Sequence, residues 1–132
     1  MRFDECLTLE GRARDILKEG KNMPKEHFTV SEMLDMQKTL QEKYKDKWEA
    51  LSPKVGRNQL LWMIGEIGEV IDIIKKNGDE KAVEDEILRK DLVEEMADVL
   101  MYFGDVLLCY GISEEELKTA YTEKFERNMN RW

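Results

Sequence analysis

Hydrophobic residues recur along most of this chain at the three- and four-residue spacing of amphipathic helices, and strand-type alternation is absent. Because the connections between segments are short, neighbouring helices should run antiparallel. We therefore expect an all-α protein, an antiparallel four-helix-type bundle with an extra N-terminal helical segment. The pattern predicts helices over residues 3–19, 30–50, 58–76, 80–110 and 113–131.

Local sequence signals mark where several of these helices begin. Thr29 with Glu32, and Ser113 with Glu116, form capping boxes that should open the second and the last helix. Asp79 is a candidate cap for the longest helix, and a bend of that helix near Arg89–Asp91 stays open as an alternative. The stretch LSPKVGRN is interpreted as a connection.

Four carboxylates lie inside the two most apolar predicted helices. Glu66 and Glu69 occur in LLWMIGEIGEVIDIIKK, and Glu95 and Asp98 in DLVEEMADVLMYFGDVLL. Each pair has i,i+3 spacing and so projects from one face of its helix. Helices this apolar are expected to be mostly buried, and a buried, unpaired carboxylate is costly. The pattern therefore predicts a cation between the pairs, and hard Mg²⁺ suits all-oxygen ligands.

Several other acidic residues are interpreted as solvated, namely Glu84, Glu86, Glu94 and Glu114–Glu116. Glu94 could nevertheless exchange roles with Glu95 by a small rotation of the helix. If the two helices pack antiparallel, the pairs face each other and leave room for one to three cations. Two such ions, roughly 3.5–4 Å apart, can clamp the attacking and leaving oxygens of a phosphoryl displacement.

Composition limits the classes of partner. A length of 132 residues suits one domain, and a net charge of -8 disfavours binding along a nucleic-acid backbone. We expect no membrane span, because the most apolar stretch is short and carries Asp98 and Asp105. Cys6 and Cys109 lack metal-ligand spacing, and Cys109 is expected to be a packed thiol. The first residues lack the apolar core of a signal peptide, so a cytoplasmic location is expected.

At the four carboxylates the chain resembles the MazG-like all-α nucleoside triphosphate pyrophosphohydrolases, whose signature is an ExxE pair followed by an ExxD pair. Here the pairs are Glu66–Glu69 and Glu95–Asp98. RNQLLWMIGEIGEV resembles the branch that includes dCTP pyrophosphatases, and LVEEMADVLMY resembles the second metal-binding helix. The resemblance covers 30–132, which leaves 1–29 as an N-terminal extension without an assigned role.

The resemblance implies Mg²⁺-dependent cleavage of a nucleoside triphosphate to the monophosphate and pyrophosphate, with Mn²⁺ as a substitute ion and nucleotide-pool housecleaning as the use. It implies that Glu66, Glu69, Glu95 and Asp98 bind the ions. Glu66 is our candidate for the catalytic proton acceptor, and the choice among the carboxylates stays open. It further implies a homodimer or homotetramer.

Substrate-binding residues are expected on the last helix, where Lys124, Asn128 and Arg131 share one face. The resemblance implies that such a cluster contacts phosphate. The alternative is a cationic helix end in water. We favour phosphate binding for Lys124 and Asn128, and both interpretations stay open for Arg131.

The nucleobase could be bound by Trp48, Trp62 and Asn58, since Trp stacks on bases and Asn can hydrogen-bond to their edges. Both tryptophans could equally be core residues. The branch that prefers dCTP often carries a histidine on the first core helix. In this chain the single histidine, His27, precedes that helix, so a preference for cytosine is not implied.

Two other classes of protein could account for parts of this helical, acidic pattern. A di-iron or di-manganese carboxylate bundle needs two Glu-x-x-His motifs, and this chain has none. A non-catalytic helical dimerisation or metal-binding module would explain the amphipathic helices but not acids in apolar surroundings.

Overall fold

The structure is a computed structural model that describes residues 28–132. These residues form helices and no strand, which confirms the all-α class. The predicted helix over 3–19 lies outside the described residues. The helices are α1 (Val30–Lys43), α2 (Pro53–Asn77), α3 (Asp79–Glu84), α4 (Glu86–Cys109) and α5 (Glu114–Met129).

Helix α1 begins as predicted, with the Thr29–Glu32 capping box formed in both directions. It ends at Lys43 rather than near residue 50. Three exposed polar residues follow Tyr44, namely Lys45, Asp46 and Lys47, and they would add no apolar side chain to a longer helix. The chain turns instead, and the rings of Tyr44 and Trp48 stack across the turn with centroids 4.7 Å apart.

Helix α2 begins five residues earlier than predicted, so most of LSPKVGRN is helical. Ser52 caps the helix, its Oγ accepting a hydrogen bond from the Val55 amide at 3.3 Å, and Pro53 occupies the first helical position. Val55 and Gly56 are buried. This added turn brings the beginning of α2 against the end of α4.

The prediction of one helix over 80–110 is wrong, because the chain breaks at Asp85. Asp85 is extended, and its carboxylate accepts hydrogen bonds from the amides of Ile87 and Leu88, each at 3.0 Å. These bonds satisfy amides that a continuous helix would have paired internally. Asp79 lies inside α3, and the cap position belongs to Gly78, whose φ of 90° suits glycine.

Helices α2 and α4 pack antiparallel along most of their length. The beginning of α2 lies against the end of α4, and Glu66 and Glu69 lie beside Glu95. Helix α1 packs on the last turns of α4, where the Gln37 Nε2 donates hydrogen bonds to the Met101 carbonyl at 3.2 Å and to Asp105 Oδ1 at 2.9 Å. The core is small and comprises Leu34, Leu40, Val55, Ala82, Val106, Leu107 and Cys109.

The apolar helices are less buried than the sequence predicts. On the side of the α2–α4 pair opposite the carboxylates, six large apolar side chains are 39–62% exposed. They are Ile64, Ile67, Ile71, Val93, Met96 and Leu100. No helix among residues 28–132 covers this face, so these helices are more open than their apolar sequences predict.

Helix α5 leaves the end of α4 at a bend of 111°. Its capping box, Ser113 with Glu116, forms as predicted. None of its residues is buried, and it does not pack extensively against another described helix. No single described helix is long and apolar enough to cross a membrane, although α4 and α5 taken together across their bend are, by length and composition only.

The contact at Gly56 yields a prediction about stability. A Cβ at this position would lie 2.7 Å from the Cys109 Cβ and 2.8 Å from the Tyr110 ring. Overpacking of this kind costs about 1–3 kcal/mol, and the gain in helix propensity offsets roughly 1 kcal/mol of that cost. We therefore expect Gly56→Ala to lower the free energy of unfolding in urea by about 1 kcal/mol.

Gly65→Ala is the matched control in the same helix, because a Cβ there meets nothing within 4 Å. We expect it to be neutral or slightly stabilising. Equal stabilities for the two variants would show that the contact between α2 and the end of α4 is not as close as described.

Candidate metal centre

The α2–α4 pair brings three carboxylates together, one oxygen of each lying within 4.8 Å of the others. They belong to Glu66, which is 3% exposed, to the half-buried Glu95 and to the exposed Glu69. The i,i+3 spacing on α2 and the antiparallel packing of α4 produce this arrangement. The cluster is therefore open to solvent on one side and closed by the helices on the other.

Burial and mutual repulsion make the cluster hold protons. Burial, the largest cause, and the charges of Glu69 and Asp98 together raise the pKa of Glu66 to about 7, although a hydrogen bond with Glu95 acts in the opposite direction. Burial, a hydrogen bond with Glu69 and neighbouring carboxylate charges raise the pKa of Glu95 to about 7. Near neutral pH this site gains stability either from protons or from a cation.

The atoms present fit a hard divalent ion. Glu95 Oε2 is buried and has no hydrogen-bond partner. A buried acceptor without a partner is unfavourable, and a cation among three carboxylates would satisfy it. Oxygen ligands of this kind suit Mg²⁺ or Mn²⁺. The donor set alone does not choose between these two ions.

Asp98 is not one of the three residues whose carboxylate oxygens lie within 4.8 Å of one another. Its charge nevertheless acts on Glu66 and Glu95. Glu94, the alternative to Glu95, is absent from the cluster. The structure thus places three of the four predicted ligands together, with Asp98 beside them.

Gly65 and Gly68 flank Glu66 and leave space beside it. A Cβ at either position would meet nothing within 4 Å, so close packing among residues 28–132 does not explain them. Two glycines in a helix interior cost roughly 1 kcal/mol each relative to alanine. Space for a ligand next to Glu66 and Glu69 is the interpretation consistent with these contacts.

The predicted base-binding residues are spread over two elements. Trp62 is 38% exposed and precedes Glu66 by four residues, so it lies on the carboxylate side of α2. Its interpretation as a core residue is wrong. Trp48 is half-buried against Tyr44, and Asn58 is exposed near the start of α2.

The predicted phosphate-binding residues Lys124 and Asn128 lie exposed on α5, and Arg131 lies exposed just beyond its last residue, Met129. Helix α5 makes no extensive contact with α2 or α4, the helices that carry the carboxylates. Among the described residues, helix packing therefore does not bring the cationic residues and the acidic cluster together.

The sequence prediction missed one buried polar contact. Asp105 is 7% exposed and accepts a hydrogen bond from Gln37. Burial raises the pKa of Asp105, and hydrogen bonds from Gln37 and Gln41 oppose the rise. The signal in the sequence was an aspartate inside the apolar end of α4 together with a glutamine in the apolar stripe of α1.

The raised pKa values predict how the metal-free protein responds to pH. Between the ordinary pKa near 4.5 and the folded pKa of about 7, the folded state binds more protons than the unfolded state. Stability should therefore rise as pH falls from about 8 to about 6. Glu66→Gln removes one repelled charge, so we expect it to raise the metal-free Tm at about pH 8 by about 5 °C and to flatten this dependence.

Differential scanning fluorimetry with a chelator and then with Mg²⁺ measures both effects. Mg²⁺ should raise the Tm of the unmodified protein and raise that of Glu66→Gln much less. Glu94→Gln is the matched control and should behave like the unmodified protein. A Tm that falls on acidification would contradict the buried cluster.

The comparisons with known proteins agree with this geometry. The model of the MazG nucleotide pyrophosphohydrolase domain matches residues 56–132, which include α2, α4 and α5. No curated protein and no solved structure matches the chain. The match spans more than half of the chain and all four carboxylates, so the chain belongs to the MazG nucleotide pyrophosphohydrolase family.

Proposed function

We propose that this protein is a Mg²⁺-dependent nucleoside triphosphate pyrophosphohydrolase that cleaves an NTP or dNTP to the monophosphate and pyrophosphate. The observation that carries the proposal is the cluster of Glu66, Glu69 and Glu95 at the α2–α4 contact, in a chain of this family. The use that fits such a reaction is removal of unwanted nucleotides from the cellular pool.

The carboxylates of Glu66, Glu69 and Glu95, with Asp98 beside them, are the residues that would hold the ion. When bound, Mg²⁺ supplies charge neutralisation of the triphosphate and polarisation of the phosphoryl group. Of these side chains Glu69 is exposed, so the cluster is accessible from solvent on that side.

Glu66 is the residue we assign as proton acceptor. Among the three clustered carboxylates it is the most buried, at 3% exposed, and one of its oxygens lies within 4.8 Å of oxygens of Glu69 and Glu95. In the reaction, water forms a bond to phosphorus and its proton passes to the carboxylate. The bond that breaks joins phosphorus to the oxygen that leaves with pyrophosphate.

Trp62 is the aromatic side chain best placed for the nucleobase. It lies one helical turn before Glu66, and its partial exposure leaves surface for stacking. Trp48 and Asn58 remain proposed contacts at greater distance along the chain. This arrangement supports binding of the nucleobase by stacking. Because stacking does not depend on the base's hydrogen-bonding edge, it would tolerate different nucleobases.

The reaction is tested with a panel of canonical and modified NTPs and dNTPs in the presence of Mg²⁺, with pyrophosphate and orthophosphate resolved from each other. We expect pyrophosphate and the monophosphate in equal amounts. Orthophosphate as the sole inorganic product would refute the proposed reaction. Turnover of no nucleotide would favour the alternative, a non-catalytic helical dimerisation or metal-binding module.

Neighbouring glutamates on α4 provide a matched pair of variants. Glu95→Gln removes a carboxylate of the cluster, and we expect kcat/KM to fall by at least about 100-fold, with weaker Mg²⁺ binding in calorimetry. Glu94→Gln changes the same residue type one position away and should retain activity within about threefold. If both variants lose activity equally, the register assigned to α4 is wrong.

A further inference from the structure

Helix α1 is joined to α4 by a buried polar contact as well as by apolar packing. The Gln37 Nε2 donates hydrogen bonds to the Met101 carbonyl at 3.2 Å and to Asp105 Oδ1 at 2.9 Å. Gln37 is 5% exposed and Asp105 is 7% exposed. Gln41, one turn further along α1, also hydrogen-bonds with Asp105. We call Gln37, Gln41 and Asp105 the glutamine–aspartate clamp.

The backbone of α4 makes room for this clamp. A Cβ at Gly104 would lie 3.1 Å from the Gln37 Cγ, which is closer than an ordinary van der Waals contact. Glycine at this position therefore lets Gln37 approach α4 closely. Hydrogen bonds need a defined distance and direction, so the two bonds donated by Gln37 fix where α1 lies along α4 and around it.

Apolar side chains alone could hold α1 on α4 without the cost of burying an aspartate. Leu34 and Leu40 are already buried on α1, and replacing buried ionic groups by apolar residues is often neutral or stabilising. A buried polar network whose members are paired makes a contact rigid. The clamp therefore adds a defined position of α1 rather than a large gain in stability.

The clamp lies beyond one end of the carboxylate site. Asp105 follows Asp98 by seven residues, so the two differ by only about 20° around α4 and lie roughly 10 Å apart along it. Helix α1 thus packs on the face of α4 that carries Asp98, about two turns further along the helix.

Trp62 lies toward the same end of the site. Because α2 and α4 run antiparallel, the turn before Glu66 on α2 leads in the same direction as the turns after Asp98 on α4. In a nucleotide the sugar separates the base from the phosphates. A triphosphate held at the carboxylates therefore extends its base toward one end of the site, and α1 and Trp62 both lie at the end that we propose for the base.

We propose that Gln37 and Asp105 are positioning residues for nucleotide binding, because their hydrogen bond holds α1 as a wall at the nucleobase end of the site. This inference rests on the proposed function. The two residues act through α1 and not on the phosphates or the ion. Loss of their hydrogen bond should therefore weaken binding of a whole nucleotide and leave binding of a triphosphate without a base unchanged.

Kinetics of Gln37→Leu test this role, with inorganic tripolyphosphate as a competitive inhibitor that has no base. Leucine fills a similar volume but cannot donate the hydrogen bonds. For the nucleotide that the unmodified protein hydrolyses best, we expect KM to rise about tenfold with kcat within about threefold. The Ki of tripolyphosphate should stay within about twofold. An unchanged KM, or an equal rise in KM and Ki, would overturn the positioning role.

Two variants of Asp105 form a matched pair. Asp105→Asn keeps an oxygen that can accept the hydrogen bond from Gln37, so its nucleotide KM should stay within about threefold of the unmodified value. Asp105→Leu has a similar size and no acceptor, and its KM should rise about tenfold. Equal KM values for the two variants would contradict a role for the hydrogen bond.

Leu34→Ala is the control for a loosened helix α1. It removes buried apolar contact from the same helix and lowers the Tm, but it leaves the clamp in place. At a temperature where every variant is folded, its nucleotide KM should stay within about threefold. If Leu34→Ala raises KM as much as Gln37→Leu does, the clamp is a packing contact only and the proposed function stands. If the unmodified protein hydrolyses no nucleotide, the proposed function fails and the positioning role falls with it.

Discussion

The repulsion among carboxylates at the α2–α4 contact is the constraint on which the site depends. Glu66 is almost fully buried, and Glu95 presents a buried oxygen without a hydrogen-bond partner. Apolar residues at these positions could form the same helix contact, since replacing buried charges by apolar residues often stabilises a protein. The ion that we propose would account for carboxylates at the point where these two helices meet. Binding of a cation or of protons offsets the repulsion among the carboxylates. The stability of the metal-free protein therefore depends on pH.

The register of the two helices follows from features far from the acids. Ser52 and Pro53 start α2 one turn early, and Gly56 then allows that turn to approach Cys109 and Tyr110. At the other end of the pair, Asp85 ends the short helix α3 and restarts the chain as α4. Together these points set which acid of α4 faces Glu66. A shift of one residue would turn Glu94 toward α2 and Glu95 away, since adjacent residues differ by about 100° around a helix.

Sequence patterns predicted the helical class, both capping boxes and three clustered carboxylates, because each depends on spacing within a few residues. The beginning of α2 was missed because Pro53 and Gly56 resemble a loop when the contact that buries them is unknown. The break at Asp85 was missed because an exposed aspartate serves a helix interior or a helix cap, and only the backbone distinguishes the two. The Gln37–Asp105 hydrogen bond joins residues 68 positions apart, which no local pattern reports.

The distribution of apolar residues explains why the sequence overstated burial. Periodicity reports that a helix has an apolar face, but it does not report which chain covers that face. On α4 the side bearing Val93, Met96 and Leu100 is apolar in sequence, yet these three side chains are 44–54% exposed. A core this small in relation to the exposed apolar surface is typical of a chain whose packing continues beyond itself. The clustered carboxylates are packed against the helices on one side and open to solvent on the other. Their burial is therefore energetically costly, and they remain accessible to a ligand.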